Sequence, residues 1–140
     1  MTQTRLENEA ETCAYATKLA EEIQPGQVVA LSGELGAGKS VFARALMRAL
    51  GVKDEALPSP TFALIQTYDG DACKVAHMDW YRLDDTEEIE MLGVREYFQP
   101  PWITIIEWPE RSPATLPNQS ISIEIKTDAA DPELRYLTQM

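Results

Sequence analysis

Residues 33–40 read Gly-Glu-Leu-Gly-Ala-Gly-Lys-Ser, a combination of residue types suited to holding phosphate. Its glycines allow the backbone to curl so that successive N–H groups point inward around an anion. Lysine at the seventh position is placed to reach the β- and γ-phosphates, and the serine hydroxyl after it can bind Mg²⁺. The segment therefore predicts a P-loop that binds ATP with Mg²⁺. The nucleotide contacts expected from it are Gly33, Leu35, Gly36, Ala37, Gly38, Lys39 and Ser40.

Two acids stand where a magnesium site needs further oxygen ligands. Asp79 follows a strand predicted up to residue 78, and Glu107 follows the apolar run at residues 102–106. Ligands of open α/β sheets collect at the carboxyl ends of the strands, the side on which a P-loop opens. We expect Asp79 to be a Walker-B-type acid, and Glu107 to join the metal or to orient the attacking water. Because the chain has 23 acids, an exposed acid at the start of a loop stays an alternative for each.

Thr61 lies in the segment Ser-Pro-Thr-Phe at residues 59–62, between the P-loop helix and Asp79. A γ-phosphate sensor would sit on such a loop, ordered by the triphosphate and released on hydrolysis. The residues alone favour a plain proline-initiated turn, so the sensor is the alternative at this point.

Periodicity and breaker residues predict the elements that must position these side chains. Asn8 caps a helix whose apolar positions are 10, 13, 17, 20 and 23, and residues 27–32 form a strand that enters the glycine loop. A second helix runs from Gly38 to a stop at Gly51, and an acidic helix capped by Asp85 covers residues 84–92. Strands are predicted at residues 62–68, 73–78, 102–106, 119–126 and 134–138, the first two joined as a hairpin at Asp69-Gly70. The pattern indicates an α/β sheet, parallel at its centre with antiparallel additions.

Composition limits what kind of partner the chain has. Its 140 residues suit one compact domain, residues 1–140, and its net charge of −11 argues against tight binding of RNA or DNA by this chain alone. A basic protein surface is the natural complement, and solubility alone is an equal alternative explanation of the acidity. Cys13 is expected to be a buried thiol, and Cys13 and Cys73 fit no metal spacing. With no apolar run long enough for a membrane and no signal-peptide core, we predict a cytoplasmic protein without membrane contact.

Five segments of the sequence form a combined pattern: residues 33–40, residues 59–62, residues 77–83 (His-Met-Asp-Trp-Tyr-Arg-Leu), residues 91–97 (Met-Leu-Gly-Val-Arg-Glu-Tyr) and residues 106–109 (Ile-Glu-Trp-Pro). The P-loop alone is unspecific, whereas its combination with His-x-Asp-x-Tyr-Arg-Leu and Glu-Trp is highly specific. Together the segments resemble the TsaE (formerly YjeE) family of bacterial ATPases. Departures are small: Glu34, Ser40 and Trp80 stand where Asp, Thr and Leu are usual. Ser40 keeps the hydroxyl that magnesium needs.

The resemblance implies a P-loop NTPase-like three-layer domain and a role in making the threonylcarbamoyl modification of adenosine 37 in tRNA. It implies that the chain binds the TsaD–TsaB heterodimer and hydrolyses ATP to drive or reset it, meeting tRNA only through that complex. At matching positions it implies phosphate and Mg²⁺ binding by Lys39 and Ser40, metal and hydrolysis roles for Asp79 and Glu107, and a switch loop containing Thr61. It also places Trp108 beside the nucleotide, with Thr12 and Arg135 as weaker contacts at the adenine end.

Other reaction classes remain open on the residues. A small-molecule kinase would use the same loop, but an arginine-rich lid is missing from the 140 residues. A non-enzymatic module that holds ATP as a structural ligand is opposed by the acids at 79 and 107. A GTPase would carry an Asn-Lys-x-Asp motif, which the sequence lacks. The expectation that the nucleotide is ATP depends mainly on the resemblance. No arginine finger is evident in the motifs, which predicts low activity alone and more with partners.

Overall fold

A computed structural model describes residues 2–60 and 64–140. The described residues form seven strands in one sheet, three α-helices and three short 3-10 helices. The strands are β1 (Thr2–Leu6), β2 (Val28–Ser32), β3 (Ile65–Asp69), β4 (Lys74–Asp79), β5 (Trp102–Glu107), β6 (Ile121–Thr127) and β7 (Arg135–Gln139). The α-helices are α1 (Glu9–Glu22), α2 (Lys39–Ala49) and α3 (Thr86–Met91), and the 3-10 helices span Val94–Phe98, Pro109–Arg111 and Pro113–Thr115.

The sheet has the order β1-β7-β6-β2-β5-β4-β3. The central pairs β6–β2, β2–β5 and β5–β4 are parallel, whereas β1–β7, β7–β6 and β4–β3 are antiparallel. This confirms the predicted parallel centre with antiparallel additions, and places β2, which leads into the glycine loop, in the middle of the sheet.

Both faces of the sheet are covered, because successive residues of a strand point to opposite faces. Val29 and Leu31 of β2 belong to a core cluster with Leu19 of α1 and Phe42 of α2. Val28 of the same strand belongs to the second cluster, on the opposite face. That cluster also holds Ile89 of α3 together with Trp80 and Val94. The chain is therefore a mixed α/β structure of three layers, with α1 and α2 on one face of the sheet and α3 on the other.

Trp80, the bulky residue beside Asp79, is fully buried in that second cluster. It is a core side chain under α3.

The predicted face of α1 is confirmed at its end, where Ile23 is buried and Ala20 packs against the core, and is wrong by about one residue before that. Thr12, Ala16, Leu19 and Ile23 form the buried side of this region, whereas Ala10 and Thr17 are exposed and Cys13 is only half-buried. The Thr17 hydroxyl donates to the carbonyl of Cys13 at 2.9 Å, which lets a threonine occupy the outer side of the helix. The predicted cap is confirmed, since the Asn8 side chain accepts from the Glu11 N–H at 3.0 Å.

The first strand, β1, was not predicted, because Thr2–Leu6 is short and mostly polar. It pairs with β7 along its whole length and extends the sheet by one antiparallel strand. The acidic helix was predicted with its cap: α3 starts after Asp85, whose side chain accepts from the Glu88 N–H at 2.9 Å.

Candidate phosphate-binding site

The glycine loop takes backbone conformations that only glycine adopts easily. Gly33, Gly36 and Gly38 have φ angles of +150°, +82° and +106°. A Cβ atom at Gly33 would lie 2.6 Å from the carbonyl oxygen of Ile125 in β6, so this glycine lets the loop pass close to the sheet. A Cβ at Gly36 would meet no atom within 4 Å, so this part of the loop faces open space. The loop is fixed at its start and open at its tip, as an anion cradle requires.

Helix α2 begins directly after the loop, at Lys39, with Gly38 as its N-cap residue. The first N–H groups of an α-helix have no partners within the helix and carry the positive end of its dipole. Gly38 has no side chain to cap them, and the described first turn of α2 holds no acidic residue. These N–H groups are therefore available to an anion, in the strand–loop–helix arrangement that the sequence predicted.

The Lys39 side chain is buried at the centre of this site, with 5% of its surface exposed. Its ammonium donates to the carbonyl of Gly33 at 2.6 Å and lies 3.5 Å from the centroid of the Trp108 ring. Burial lowers the pKa of Lys39 from its ordinary value, and the carboxylates of Glu107, Glu110 and Asp79 act in the opposite direction.

Asp79 and Glu107 end the parallel strands β4 and β5 and are Cα partners in the ladder between them. Both side chains are buried, with residue exposures of 4% and 3%. The backbone N–H of Tyr81 donates to Oδ1 of Asp79 at 2.8 Å. The sequence placed these acids just after their strands; the structure makes each the last residue of its strand. In both descriptions the two acids lie at the edge of the sheet where β2 ends and the glycine loop begins.

One cavity of about 280 Å³ brings most of the predicted phosphate and metal residues together. Its walls come from the loop, the start of α2, the two strand ends and the segment before Thr61. The lining residues are Leu35, Gly36, Gly38, Lys39, Ser40, Val41, Ser59, Asp79, Glu107 and Trp108. Thr61 itself lies outside the described residues.

Trp108 closes one side of this cavity and has an unusual backbone. Its φ of 60° and ψ of 49° are left-handed, a conformation that costs a non-glycine residue free energy. The turn carries the indole ring to 4.8 Å from the ring of Tyr81 and places it against the Lys39 ammonium. The strain is thus coupled to a contact with the P-loop lysine.

Thr12 and Arg135 lie together beside the loop, in a second cavity. They line this cavity of about 150 Å³ with Ala37, Gly38 and Glu133. The Arg135 guanidinium donates through Nε to the carbonyl of Ala37 at 2.8 Å, so it also holds the loop in place. The two residues expected at the adenine end therefore share a cavity whose lining includes Ala37 and Gly38 of the glycine loop.

A family model described as threonylcarbamoyl adenosine biosynthesis protein TsaE matches residues 6–135. The chain belongs to the TsaE family. Family members take part in tRNA threonylcarbamoyladenosine biosynthesis.

Individual relatives agree with the assignment to the TsaE family. The tRNA threonylcarbamoyladenosine biosynthesis protein TsaE of Rickettsia bellii is 36% identical over 136 residues, which are 97% of this chain and 94% of the relative. The protein of the same name from Bacillus subtilis is 37% identical over 91% of this chain and 78% of its own length. The crystal structure of Bacillus subtilis YdiB has a TM-score of 0.82 and 31% identity, and the match covers 99% of this chain and 83% of YdiB.

The donor groups of this TsaE-family chain fit a magnesium nucleotide. No group of three or more His, Cys, Asp or Glu side chains suited to a metal occurs in the described residues. Magnesium in nucleotide sites takes only one or two carboxylates, with phosphate oxygens and water completing its shell. Ser40, Asp79 and Glu107 around one cavity meet that smaller requirement.

Sequence reasoning assigned no role to His77, whose ring nitrogen Nε2 lies 2.7 Å from Oε2 of Glu107. A signal for it was present, because His77 precedes Asp79 by two residues on β4 and so shares its face of the sheet. Ser59 was quoted only as part of a motif, and its place in the cavity wall depends on tertiary folding. Among the helices of the described ranges, none is long and apolar enough to cross a membrane.

Proposed function

We propose that this chain is a Mg²⁺-dependent ATPase of P-loop NTPase type that serves tRNA threonylcarbamoyladenosine formation by driving or resetting the TsaD–TsaB pair. One observation carries the proposal: Lys39, Ser40, Asp79 and Glu107 line a single cavity at the mouth of the glycine loop. Membership of the TsaE family supplies the biological setting. Contact with tRNA is then indirect, through the partner complex, and the cytoplasm is the predicted location.

The residues of the cavity divide the work of phosphoryl transfer to water. Gly36, Gly38 and the first turn of α2 supply N–H groups to the phosphates, and Lys39 supplies a positive charge. Ser40, Asp79 and Glu107 would hold Mg²⁺, which when bound neutralises charge on the phosphate oxygens. Glu107 or Thr61 would position the attacking water. Arg135 and Thr12 would contact the adenine side.

Lys39 must exchange partners when phosphate enters. Its ammonium contacts the Gly33 carbonyl and the Trp108 ring, so phosphate oxygens replace one neutral acceptor and one aromatic face. Hydrogen bonds to charged groups are stronger than those to neutral ones, which favours the exchange. The indole ring of Trp108 is thereby sensitive to nucleotide entry.

Low intrinsic activity is part of the proposal. Among the described residues that line the cavity of about 280 Å³ at Lys39, none is an arginine. An arginine that reaches the γ-phosphate raises the rate of such reactions by orders of magnitude, and a partner protein can supply it. The net charge of −11 suits docking against a basic protein surface.

Analysis of the products distinguishes hydrolysis from the alternatives. Under single-turnover conditions with TsaD–TsaB, we expect labelled ATP to give ADP and inorganic phosphate, with no phosphorylated small-molecule acceptor. Glu107→Ala should bind nucleotide as the wild type does and lose turnover, because Glu107 acts on the metal or water. A phosphorylated acceptor would indicate a kinase, and unchanged ATP would indicate a binding module. Normal hydrolysis by Glu107→Ala would remove Glu107 from its proposed role.

A further inference from the structure

His77 is the only histidine of the chain and is almost completely buried. It lies on β4, on the sheet face that α2 covers, two residues before Asp79. Its neighbours on this face, Val75 of β4 and Ile105 of β5, belong to the apolar core. The histidine therefore stands at the boundary between the core and the candidate phosphate site, where an apolar side chain would suffice for packing alone.

The side chains of His77 and Glu107 make a direct hydrogen bond, with 2.7 Å between Nε2 and Oε2. An ionised carboxylate only accepts, so the proton of this bond belongs to Nε2, whether the imidazole carries one proton or two. The other ring nitrogen, Nδ1, has no hydrogen-bond partner among the described residues. Of the two tautomers of a neutral ring, the geometry favours the one with its proton on Nε2, because a proton on Nδ1 would be a buried donor without a described acceptor.

We propose that His77 is a positioning residue that fixes the carboxylate of Glu107 for its role in ATP hydrolysis; this rests on the proposed function. Nε2–H engages Oε2, which leaves Oε1 as the oxygen for the metal or the attacking water in the cavity that Glu107 lines. Partners of this kind orient the ligands of metal sites, and losing them typically costs about 10- to 100-fold in activity or metal affinity.

The position of the bond within the sheet explains why it can orient Glu107 well. β4 and β5 are hydrogen-bonded along their length, with His77 opposite Ile105 and Asp79 opposite Glu107. The His77 side chain therefore reaches diagonally from β4 to the last residue of the neighbouring strand, β5. Since both backbones are fixed by the sheet, the bond restricts mainly the Glu107 side chain.

Nuclear magnetic resonance of ¹⁵N-histidine-labelled protein tests the geometry without any ATPase assay. The single histidine gives one assignable pair of ring nitrogens. We expect the proton on Nε2, and we expect Glu107→Ala, which removes its acceptor, to change the Nε2 signal. A ring protonated only at Nδ1 would overturn the proposal.

Two conservative variants test the positioning role. The side-chain amide of His77→Gln reaches close to the place of Nε2, whereas the shorter amide of His77→Asn reaches only the place of Nδ1. We expect His77→Gln to retain partner-stimulated kcat within a few-fold, and His77→Asn to lose roughly 10- to 100-fold. ATP affinity measured without Mg²⁺ should stay within about twofold for both, since the phosphate-binding loop is untouched.

The outcomes separate this proposal from the proposed function. If the wild type hydrolyses ATP and folded His77→Asn is equally fast, His77 does not position Glu107. If the wild type hydrolyses no ATP even with partners, the proposed function fails, while the resonance result still reports the bond. Thermal unfolding of both variants checks folding, and if His77→Asn does not fold, the ring-nitrogen signals and His77→Gln decide: loss of kcat in folded His77→Gln would contradict the proposal.

Discussion

Asp79 and Glu107 stand directly opposite each other as the last residues of two adjacent parallel strands. In a parallel pair the strands run in the same direction, so their final side chains meet at one edge of the sheet. Both side chains point toward the sheet face that carries α2. Asp79 lies four residues after Val75 on β4, and Glu107 lies two residues after Ile105 on β5, so each acid shares a face with a residue of the core on that side. The sheet register therefore brings two acids from distant parts of the chain to the cavity at the glycine loop.

Lys39→Ala should lower ATP affinity by roughly 10- to 100-fold, as expected for losing a charged hydrogen-bond donor at the phosphates. Lys53→Ala is the matched control, because Lys53 is highly exposed and pairs only loosely with Asp71 at 3.8 Å. Isothermal titration calorimetry with ATP and Mg²⁺ measures the affinity of both variants. Equal affinities in the two variants would exclude Lys39 from phosphate binding.

Two glycine substitutions should separate folding from binding. Gly33→Ala places a Cβ 2.6 Å from the Ile125 carbonyl at a φ of +150°, so we expect a loss of roughly 2–5 kcal/mol in the free energy of unfolding. Gly36→Ala meets no atom within 4 Å and should cost only about 1–2 kcal/mol for its left-handed backbone, yet its methyl group enters the cradle and should weaken ATP binding. Denaturant unfolding and ATP titration give the two quantities. A Gly36→Ala variant with wild-type affinity would place the phosphates elsewhere.

Basic residues that line two different cavities beside the loop test where the adenine lies. Arg135 borders the cavity that contains Thr12, whereas Lys126 lines a different cavity with Glu34 and Glu124. We expect Arg135→Ala to reduce affinity for ATP and ADP by about tenfold, because Arg135 also holds the Ala37 carbonyl. Lys126→Ala should have little effect in the same fluorescence titration. The reverse ranking would move the base to the Lys126 side.

The exposed side of α3 is a candidate docking surface for the partner pair. Met91 is 81% exposed there, and Glu87 is an exposed acid on the same helix. Glu88 is a poor choice for mutation, because it accepts from the Asp84 N–H at 2.9 Å and takes part in the cap. We expect Glu87→Lys to weaken pull-down of TsaD–TsaB, and Glu21→Lys on α1, the same charge change on the opposite face, to leave it intact. Equal retention of the partners by both variants would remove α3 from the interface.

The sequence was informative where local chemistry decides the structure. Asn8 and Asp85 have side chains that satisfy backbone N–H groups, so both helix starts were predicted correctly. The apolar run before Glu107 correctly predicted a central strand, and the glycines before Lys39 correctly predicted the loop that leads into α2. Such features depend on neighbouring residues only. The parallel pairing of β2, β5 and β4 then brings Lys39, Ser40 and the two acids to one edge of the sheet.

Features that depend on distant residues were missed. Strand β1 exists because β7 offers it a partner, and nothing in its own five residues requires a strand. The buried face of α1 was misjudged because Thr12 is buried beside Arg135, although threonine is not a typical core residue. The left-handed turn at Trp108 likewise follows from tertiary contacts with Tyr81 and Lys39.

The decisive measurement for the proposed ATPase is its rate of ATP hydrolysis with and without the TsaD–TsaB pair and tRNA, with Mg²⁺ present throughout. We predict slow turnover by the chain alone and a rate higher by orders of magnitude in the complex. The reason is that none of the described residues lining the cavity at Lys39 is an arginine, so a partner would have to provide one. Glu107→Ala should abolish the stimulated rate. Equal turnover with and without the partners would contradict a partner-driven ATPase.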